Sequence, residues 1–556
     1  MAKLRVGYIV DDGPQSEWVR DLVERSRSSA YYAIELLIVQ QIPVVESGAI
    51  GKIVRHARRK GLIHLFESAL FMALSRLEKA SVMRQPRYEA HFRAHDLDAF
   101  AIPKLVVHPH ASPSGLVYRY GAEDLAHIHA ARLDVLVRGC RAILRGEILS
   151  VCPHGIVSFH HANNDVNRGG PPAFWEVYNR EPSTGFVIQR LLDELDGGDV
   201  LMKGAISTSS LYVLNLVRLY RKAHVFMHKM LEDLGRTGRL PEPHRKLPYA
   251  YPLYTRPTLR HQSLYLARAA SHVSGKIVNR LMGWTWRWGV AYQFVDDWRA
   301  AALWKSVAID NPPHRFLADP FVAHKNGMSV CFVEDYDFRT QKGVITAFRI
   351  DRSGHKELGV ALEEPFHLSY PYLFEADGTL FMCPETQASG EIRIYRCTDF
   401  PLKWRLHKIL MRDVRAVDTN IFPHDGKWWM LTTIDTAGGI ERSSELHLFH
   451  ADSFDAEKWL AHPLNPIVFD SRRGRNGGMI HTQNGDLYRV FQAQGFDMYG
   501  ESLGIAAITD LSQNSYHEEI LTTIPPRFFP RIQGTHTLSF SGGLLAVDYV
   551  RREPAH

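Results

Sequence analysis

Within Ser158–Gly170, SFHHANNDVNRGG, two histidines, three asparagines, an aspartate and an arginine crowd behind the apolar run HGIVSF. None of these side chains suits a core. His160 and His161 offer imidazoles, Asn163 and Asn164 offer amide donors, and Arg168 offers a fixed cation. Downstream, Thr184 in STGF adds a hydroxyl and Asp196 in ELDGGD adds a carboxylate. Imidazoles, amides and a cation crowded at the end of an apolar run have the chemistry of a ligand site. In the second half, Asp319 in LADPF and Asp418 in AVDTN stand near the openings of two similar segments.

These residues need elements to position them. LRVGYIV reads as a strand closed by DDGP, SEWVRDLVERSRSS as a helix with Ser16 at its start, and YAIELLIVQQ as the next strand. This β-α-β opening predicts a doubly wound sheet, and the absence of GxGxxG after the first strand excludes ordinary dinucleotide binding. A basic helical stretch beginning at Gly51 is long for a connection and reads as an insertion over residues 51–100. Strands resume at KLVVHP and LDVLVRGC, and HGIVSFHH ends in the polar cluster at the carboxyl edge of the sheet, where parallel sheets bind ligands.

The chain has 556 residues, 45% hydrophobic and 23% charged, with a formal net charge of +6. That length calls for more than one core, and the small positive excess does not call for nucleic acid. Cys140, Cys152, Cys331, Cys383 and Cys397 form no CxxC pair and read as a reduced, cytoplasmic set. No metal site is expected. No apolar run is long enough to span a bilayer.

The stretch from Gly235 to Thr258 is rich in Pro, Gly and basic residues and reads as a domain exit. The expected domains are 1–240, a linker and helix over 241–287, and 288–556. The last of these repeats. FLADPFVAHKNGMSVCFVE, LSYPYLFEADGTLFMCPE, AVDTNIFPHDGKWWMLTT, RNGGMIHTQNGDLYRVFQ and QGTHTLSFSGGLLAVDY each carry a strand, a DG/NG-type turn and a second strand. Five such units predict a five-bladed β-propeller, with WGVAYQF or WKSVAID completing the short last unit. Trp284, Trp286 and Trp288 follow a helix bearing Arg268, Lys276 and Arg280, with Arg287 among them. They suit a peripheral membrane contact, but their alternation favours the first strand of the propeller and a buried junction.

GIVSFHHANNDVNRGGPPAFWEV followed by STGFVIQRLLDELDGGDVL resembles the formyltransferases that use 10-formyltetrahydrofolate. The resemblance implies an α/β, Rossmann-like formyltransferase domain ahead of the propeller. It also implies His160 and Asp196 as catalytic groups and roles for Arg168 and Thr184. The family asparagine falls on Ser158, so the oxyanion donor is shortened to a hydroxyl or recruited from His161, Asn163 or Asn164. The propeller resembles arabinanase- and β-xylosidase-type glycosidases and the N-terminal domain of glucosamine inositolphosphorylceramide transferases, through F-x-A-D-P-F, S-Y-P and G-T-H. In the glycosidases Asp319 would be the base and Asp418 the modulator. The fourth unit opens on Arg475 and Asn476 with no acid, and Glu334 and Glu385 end second strands, so glycan or glycolipid binding is favoured over hydrolysis. The expected activity is formyl transfer from 10-formyltetrahydrofolate to an amino group of a sugar, nucleotide sugar or glycolipid. The alternative is a catalytically altered domain whose propeller binds glycan.

Overall fold

The computed structural model describes residues 2–42, 62–113, 115–194, 198–438, 441–482 and 484–554. Asp196 and the first part of the expected insertion, residues 51–61, lie outside the described residues. The chain divides into two compact units, Met1–Ala269 and Ala270–His556, and the boundary falls inside the helix Leu259–Leu281.

Unit 1 is a mixed α/β layer structure. Its strands are β1 (Leu4–Asp11), β2 (Tyr32–Gln40), β3 (Lys104–Val107), β4 (Val135–Arg138), β5 (Ile156–His160), β6 (Ser183–Arg190) and β7 (Asp199–Ser207), in the spatial order β7-β6-β5-β4-β1-β2-β3. β3, β2, β1, β4 and β5 run parallel, while β6 and β7 add an antiparallel hairpin beside β5. The parallel strands are nearly continuous runs of Val, Ile and Leu because both faces are covered. Ile9, Ile38, Leu136 and Ile156 pack with Ile128 of α3 (Ala122–Ala130) on one face. α1 (Glu17–Ser28) and α5 (Tyr212–Thr237) pack together on the sheet. α2 (Leu62–Val82) belongs to the expected insertion and packs on α5, where Glu78 accepts the Val213 N–H at 2.9 Å. The short α4 (Phe174–Asn179) follows the polar loop, and α6 (Leu259–Leu281) begins in unit 1 and contains the boundary.

A stack of aromatic and histidine rings sits between the end of β5 and α5. His161 lies on Tyr220 with centroids 3.8 Å apart and planes 5° from parallel, and Trp18 stacks on His224 at 5.1 Å. Burial pushes His161 down to about 3, His91 down to about 4, and His224 well below the usual histidine range. All three are neutral in the folded state at neutral pH. The unfolded chain binds their protons near pH 6.5, so below that pH it holds more protons than the folded state and stability falls. Unit 1 is therefore expected to lose stability as pH drops from 6.5 toward 4. His161→Phe should flatten that loss, read as the melting temperature against pH. A melting temperature equally pH-dependent in the variant would contradict it.

Unit 2 is built of five antiparallel sheets of four or five strands. β8 (Trp284–Phe294) opens the unit, and the first strands of the five sheets are β9 (Arg315–Lys325), β10 (Ser369–Ala376), β11 (Ala416–His424), β12 (Arg475–His481) and β13 (Leu538–Ser541). Each sequence repeat falls on the first two strands of one sheet. Left-handed pairs at Asn326–Gly327, Asp377–Gly378 and Asp425–Gly426 close two-residue hairpins, the conformation that the DG/NG signal predicts. The fifth sheet takes both segments expected to complete it. β8 pairs along its whole length with β14 (Leu544–Pro554), and Val307–Ile309 pairs with β8.

Side-chain hydrogen bonds tie the first strands to one another. The Tyr370 N–H donates to Asp319 Oδ2 at 3.2 Å, Tyr370 OH to Asn420 Oδ1 at 2.8 Å, Asn420 Nδ2 to the Gly478 carbonyl at 3.2 Å, and the Val322 N–H to Ser539 Oγ at 3.1 Å. β12 meets β13 through Gly478, where an added Cβ would lie 2.3 Å from the Leu538 carbonyl oxygen.

Trp284 and Trp286 lie on β8, but they keep 40% and 46% of their surface exposed, against the expectation of burial. The cations expected beside them are largely engaged. Arg287 is buried and donates to the Pro312 and Arg315 carbonyls, Lys276 pairs with Asp497 at 3.2 Å, and Arg268 donates to the Tyr178 carbonyl. The Arg280 side chain lies outside what is described. Among the described residues no helix is long and apolar enough to cross a membrane.

Candidate functional site

β5 delivers the polar cluster to the sheet edge, and strand alternation divides it. His160 faces a cavity of about 370 Å³ that is also lined by Arg138, Arg141, Arg145, Gln189 and Gly169. His161, one residue on, points the other way into the aromatic stack. Ser158 shares the face of His160, is fully buried, and stands opposite Gln189 in the β5–β6 register.

The loop residues hold one another. Asn163 Oδ1 accepts the Asp165 N–H at 3.1 Å, and Asn164 Nδ2 donates to Gln189 Oε1 at 3.1 Å. The Arg168 Nε–H donates to the Asn164 carbonyl at 2.9 Å, and its guanidinium lies 4.5 Å from the centre of the Tyr249 ring. Arg168 and Asn164 line a second, smaller cavity with Asp165, Lys203 and His244, and the Lys203–Asp165 ion pair of 2.5 Å crosses that wall. Gly169, at φ +105°, has the Tyr254 carbonyl oxygen 2.0 Å from where a Cβ would sit, so the Arg-Gly pair requires glycine for the strand contact Arg168–Gly169 with Leu253–Tyr254. Thr184 does not reach either cavity. Its buried hydroxyl lies 2.9 Å from that of Thr208 and accepts from Asn215 Nδ2 of α5 at 2.8 Å, which ties β6 to the helix.

The sequence reading missed Gln189. It sits in the apolar run TGFVIQRLL, and only the antiparallel register sets its amide beside Ser158 at the cavity. With its Oε1 engaged by Asn164, its Nε2 is the amide donor available to a bound carbonyl.

In unit 2, Asp319 and Asp418 both occupy left-handed positions, φ +49° and +50°, at bulges in β9 and β11. Tyr370 repeats the feature at φ +46° in β10. Such conformations cost about 1–3 kcal/mol each and gather where a side chain must be re-aimed. Asp319 Oδ1 accepts from Thr537 Oγ1 at 2.7 Å and lies 3.4 Å from His536 Nε2, and Asp548 Oδ2 lies 2.5 Å from His536 Nδ1. Asp319, His536 and Asp548 bring oxygen and nitrogen atoms within 4.8 Å of one another, a set able to ligate a cation. The His536 imidazole thus lies within ion-pair distance of both carboxylates, and Asp548 Oδ1 also accepts the backbone N–H groups of His536 and Thr537 at 2.8 and 3.0 Å.

Glu334 and Glu385, expected at the ends of second strands, lie close enough to Asp319 and Asp418 to feel their charge. Burial, then the charge of Asp319 beside Glu334 and of Asp418 beside Glu385, holds both carboxyls well above the usual range. The same burial pushes Asp319 up to about 6. Arg475, from the opening of the fourth unit, bridges the cluster: its Nε lies 2.5 Å from Asp418 Oδ2 and its Nη2 3.3 Å from Glu385 Oε2, while Gln492 Nε2 donates to Asp418 at 2.7 Å. Arginine thus stands where an acid was sought, and the Glu334 and Glu385 carboxyls come from the second strands of other sheets.

Comparison with known proteins separates the two units in the same way. Residues 301–525 match the family model described as glucosamine inositolphosphorylceramide transferase 1, N-terminal. The glucosamine inositolphosphorylceramide transferase 1 of Arabidopsis thaliana is 35% identical over 210 residues, which is 37% of this chain and 27% of that protein. The chain therefore spans little more than a quarter of that relative's length. The methionyl-tRNA formyltransferase of Acetivibrio thermocellus is 27% identical over 202 residues, 35% of this chain and 61% of that protein. A solved phosphoribosylglycinamide formyltransferase from Anaplasma phagocytophilum aligns at 15% identity over 42% of this chain and 88% of its own, with a TM-score of 0.28. The chain joins a unit similar to formyltransferases to a unit that matches the N-terminal family of glucosamine inositolphosphorylceramide transferase 1.

Proposed function

We propose that unit 1 transfers a formyl group from 10-formyltetrahydrofolate to an amino group of a sugar, nucleotide sugar or glycolipid. The observation that carries this reading is that His160 of β5 and Gln189 of the neighbouring β6 line one cavity, at the carboxyl edge of the parallel strands. The cavity fits the cosubstrate in kind: Ile143, Leu144, Leu191 and Leu192 offer apolar surface to a flat ring system, and His160 and Gln189 offer polar atoms at one end. When bound, 10-formyltetrahydrofolate supplies the activated formyl carbon. His160 and the Gln189 amide stabilise the oxyanion as the amine attacks; the bond from the formyl carbon to N10 then breaks, tetrahydrofolate leaves, and the proton lost by the amine is balanced by one taken up at N10. Gln189 thereby takes the place that Ser158 leaves open, ahead of His161, Asn163 and Asn164, which are spent on stacking and on the loop. Asp196, outside the described residues, is the base that the formyltransferase resemblance assigns.

For unit 2 we read the five sheets as blades of a five-bladed propeller. The hydrogen bonds that run from β9 through β10 and β11 to β12, and from β13 back to β9, support that reading. The carboxylate–arginine centre is the proposed glycan or glycolipid site, with Asp319, Asp418 and Arg475 as its polar contacts. Formyl transfer and glycan binding in one chain suit an acceptor with an amino-sugar headgroup.

Gln189→Ala tests the catalytic assignment. Losing an oxyanion donor costs about 10²–10³ in kcat, so turnover of an amino-sugar acceptor should fall by about 100-fold, with folate binding kept. A change below threefold would remove Gln189 from the mechanism.

A further inference from the structure

We propose that the outer face of α2 docks unit 1 onto a membrane surface that carries anionic lipids. α2 is apolar on two opposite sides. Its inner side is firmly seated: the Phe71 ring meets those of Phe174 and Tyr212 at 5.4 and 5.5 Å, Glu78 accepts the Val213 N–H at 2.9 Å and the Tyr265 hydroxyl, and Arg256 Nη1 donates to Ser68 Oγ at 2.7 Å. On the other side, Leu62, Phe66, Ala69, Ala73, Leu77 and Ala80 recur at three- and four-residue steps and form an exposed stripe along the helix. Leu62, Ile63, Phe66 and Leu77 keep between 61% and 76% of their surface exposed. A helix that is apolar all round belongs in an apolar environment, and soluble monomers seldom leave an apolar stripe of this length in water.

The charges beside the stripe select its occupant. Arg76 is exposed at the stripe's edge and Arg84 is exposed just past the end of the helix. Among the described residues neither guanidinium has an ion-pair or hydrogen-bond partner. The two carboxylates of α2 are turned inward, Glu67 to the Leu259 N–H at 3.0 Å and Glu78 to Val213 and Tyr265. The outer face therefore offers apolar side chains and cations with no anion. A second copy of this face would bring arginines against apolar groups without a counter-ion. An anionic leaflet answers both needs: its acyl boundary receives Leu62, Phe66 and Leu77, and the long arginine side chains reach out to its phosphates. This surface belongs to unit 1 alone and does not rest on the formyl-transfer reading.

The test is flotation of the full chain with phosphatidylcholine vesicles that do or do not contain phosphatidylserine. The chain should float with the anionic vesicles, and less so at high salt. Phe66→Gln/Leu77→Gln should weaken that binding by at least about tenfold, since two exposed side chains lose their apolar surface. Arg76→Gln/Arg84→Gln should weaken binding to the anionic vesicles by about tenfold and leave binding to neutral vesicles unchanged. All four positions are exposed, so the melting temperature should hold in both variants, and Leu62→Gln, in the first turn, repeats the measurement with a single change. Absence of flotation with anionic vesicles overturns the proposal. So does flotation that survives Phe66→Gln/Leu77→Gln, because another surface then makes the contact. Equal binding to neutral and anionic vesicles, or no loss in the arginine variant, overturns the anionic-lipid assignment. A lipid-free dimer that Phe66→Gln/Leu77→Gln dissociates in sedimentation velocity also overturns it and makes the face a contact between two copies.

Discussion

Replacing His160 by alanine is expected to reduce formyl transfer by about 10²–10³-fold while leaving the fold intact. His160 ends β5 and faces the cavity, half-buried, so truncating it removes little core packing. In the proposed reaction its imidazole donates to the formyl oxygen as charge develops there, an interaction made in the transition state rather than in the ground state. The loss should therefore appear in kcat and kcat/KM together, with KM for the acceptor nearly unchanged. Single-turnover kinetics with far-ultraviolet circular dichroism as the folding control would check it. Turnover within threefold of the parent would take His160 out of the reaction and leave the cavity as a binding site only.

The largest effect on stability is expected at Arg489. This side chain is fully buried, and it meets Glu518 through two parallel hydrogen bonds, Nε to Oε2 at 2.7 Å and Nη2 to Oε1 at 2.6 Å. Its Nη2 also donates to the Arg473 carbonyl at 2.9 Å, and Tyr516 OH donates to Glu518 at 2.7 Å. The pair joins the second and fourth strands of the fourth sheet. Burial opposes both charges, and the contact with Arg489 is what keeps the Glu518 carboxyl below its usual range. Arg489→Met leaves that carboxylate buried and uncompensated, which costs about 3–5 kcal/mol. Urea denaturation should show the loss as a lower midpoint. Adding Glu518→Leu should recover most of it, since both charges are then gone. A loss under about 1 kcal/mol in the single variant would contradict this view of the pair.

The parallel sheet, the polar end of β5 and the repeating hairpins were legible in the sequence because each has a local signature: continuous apolar runs, a cluster that no core accepts, and DG/NG turns at regular spacing. The residues that complete the sites were not. Gln189 reads as part of an apolar strand, and only the pairing of β6 with β5 gives its amide a functional neighbour. Thr184 matched a motif, yet Asn215 of α5, distant in sequence, takes its hydroxyl into the packing. Glu334 and Glu385 end their strands in the sequence. The bulges at Asp319 and Tyr370 set the registers that pair Ala318 with Glu334 and Ser369 with Glu385, which bring both carboxyls to the centre. Periodicity reports which face a residue takes, but not which distant residue it meets there.

The most direct test of formyl transfer is mass spectrometry of glucosamine-bearing acceptors, UDP-glucosamine among them, after incubation with the full chain and 10-formyltetrahydrofolate. The account predicts an acceptor heavier by one formyl group, formed at a rate that falls with His160→Ala and with Gln189→Ala. Acceptors recovered unchanged, with 10-formyltetrahydrofolate bound but not consumed, would contradict it and make unit 1 a folate-binding module.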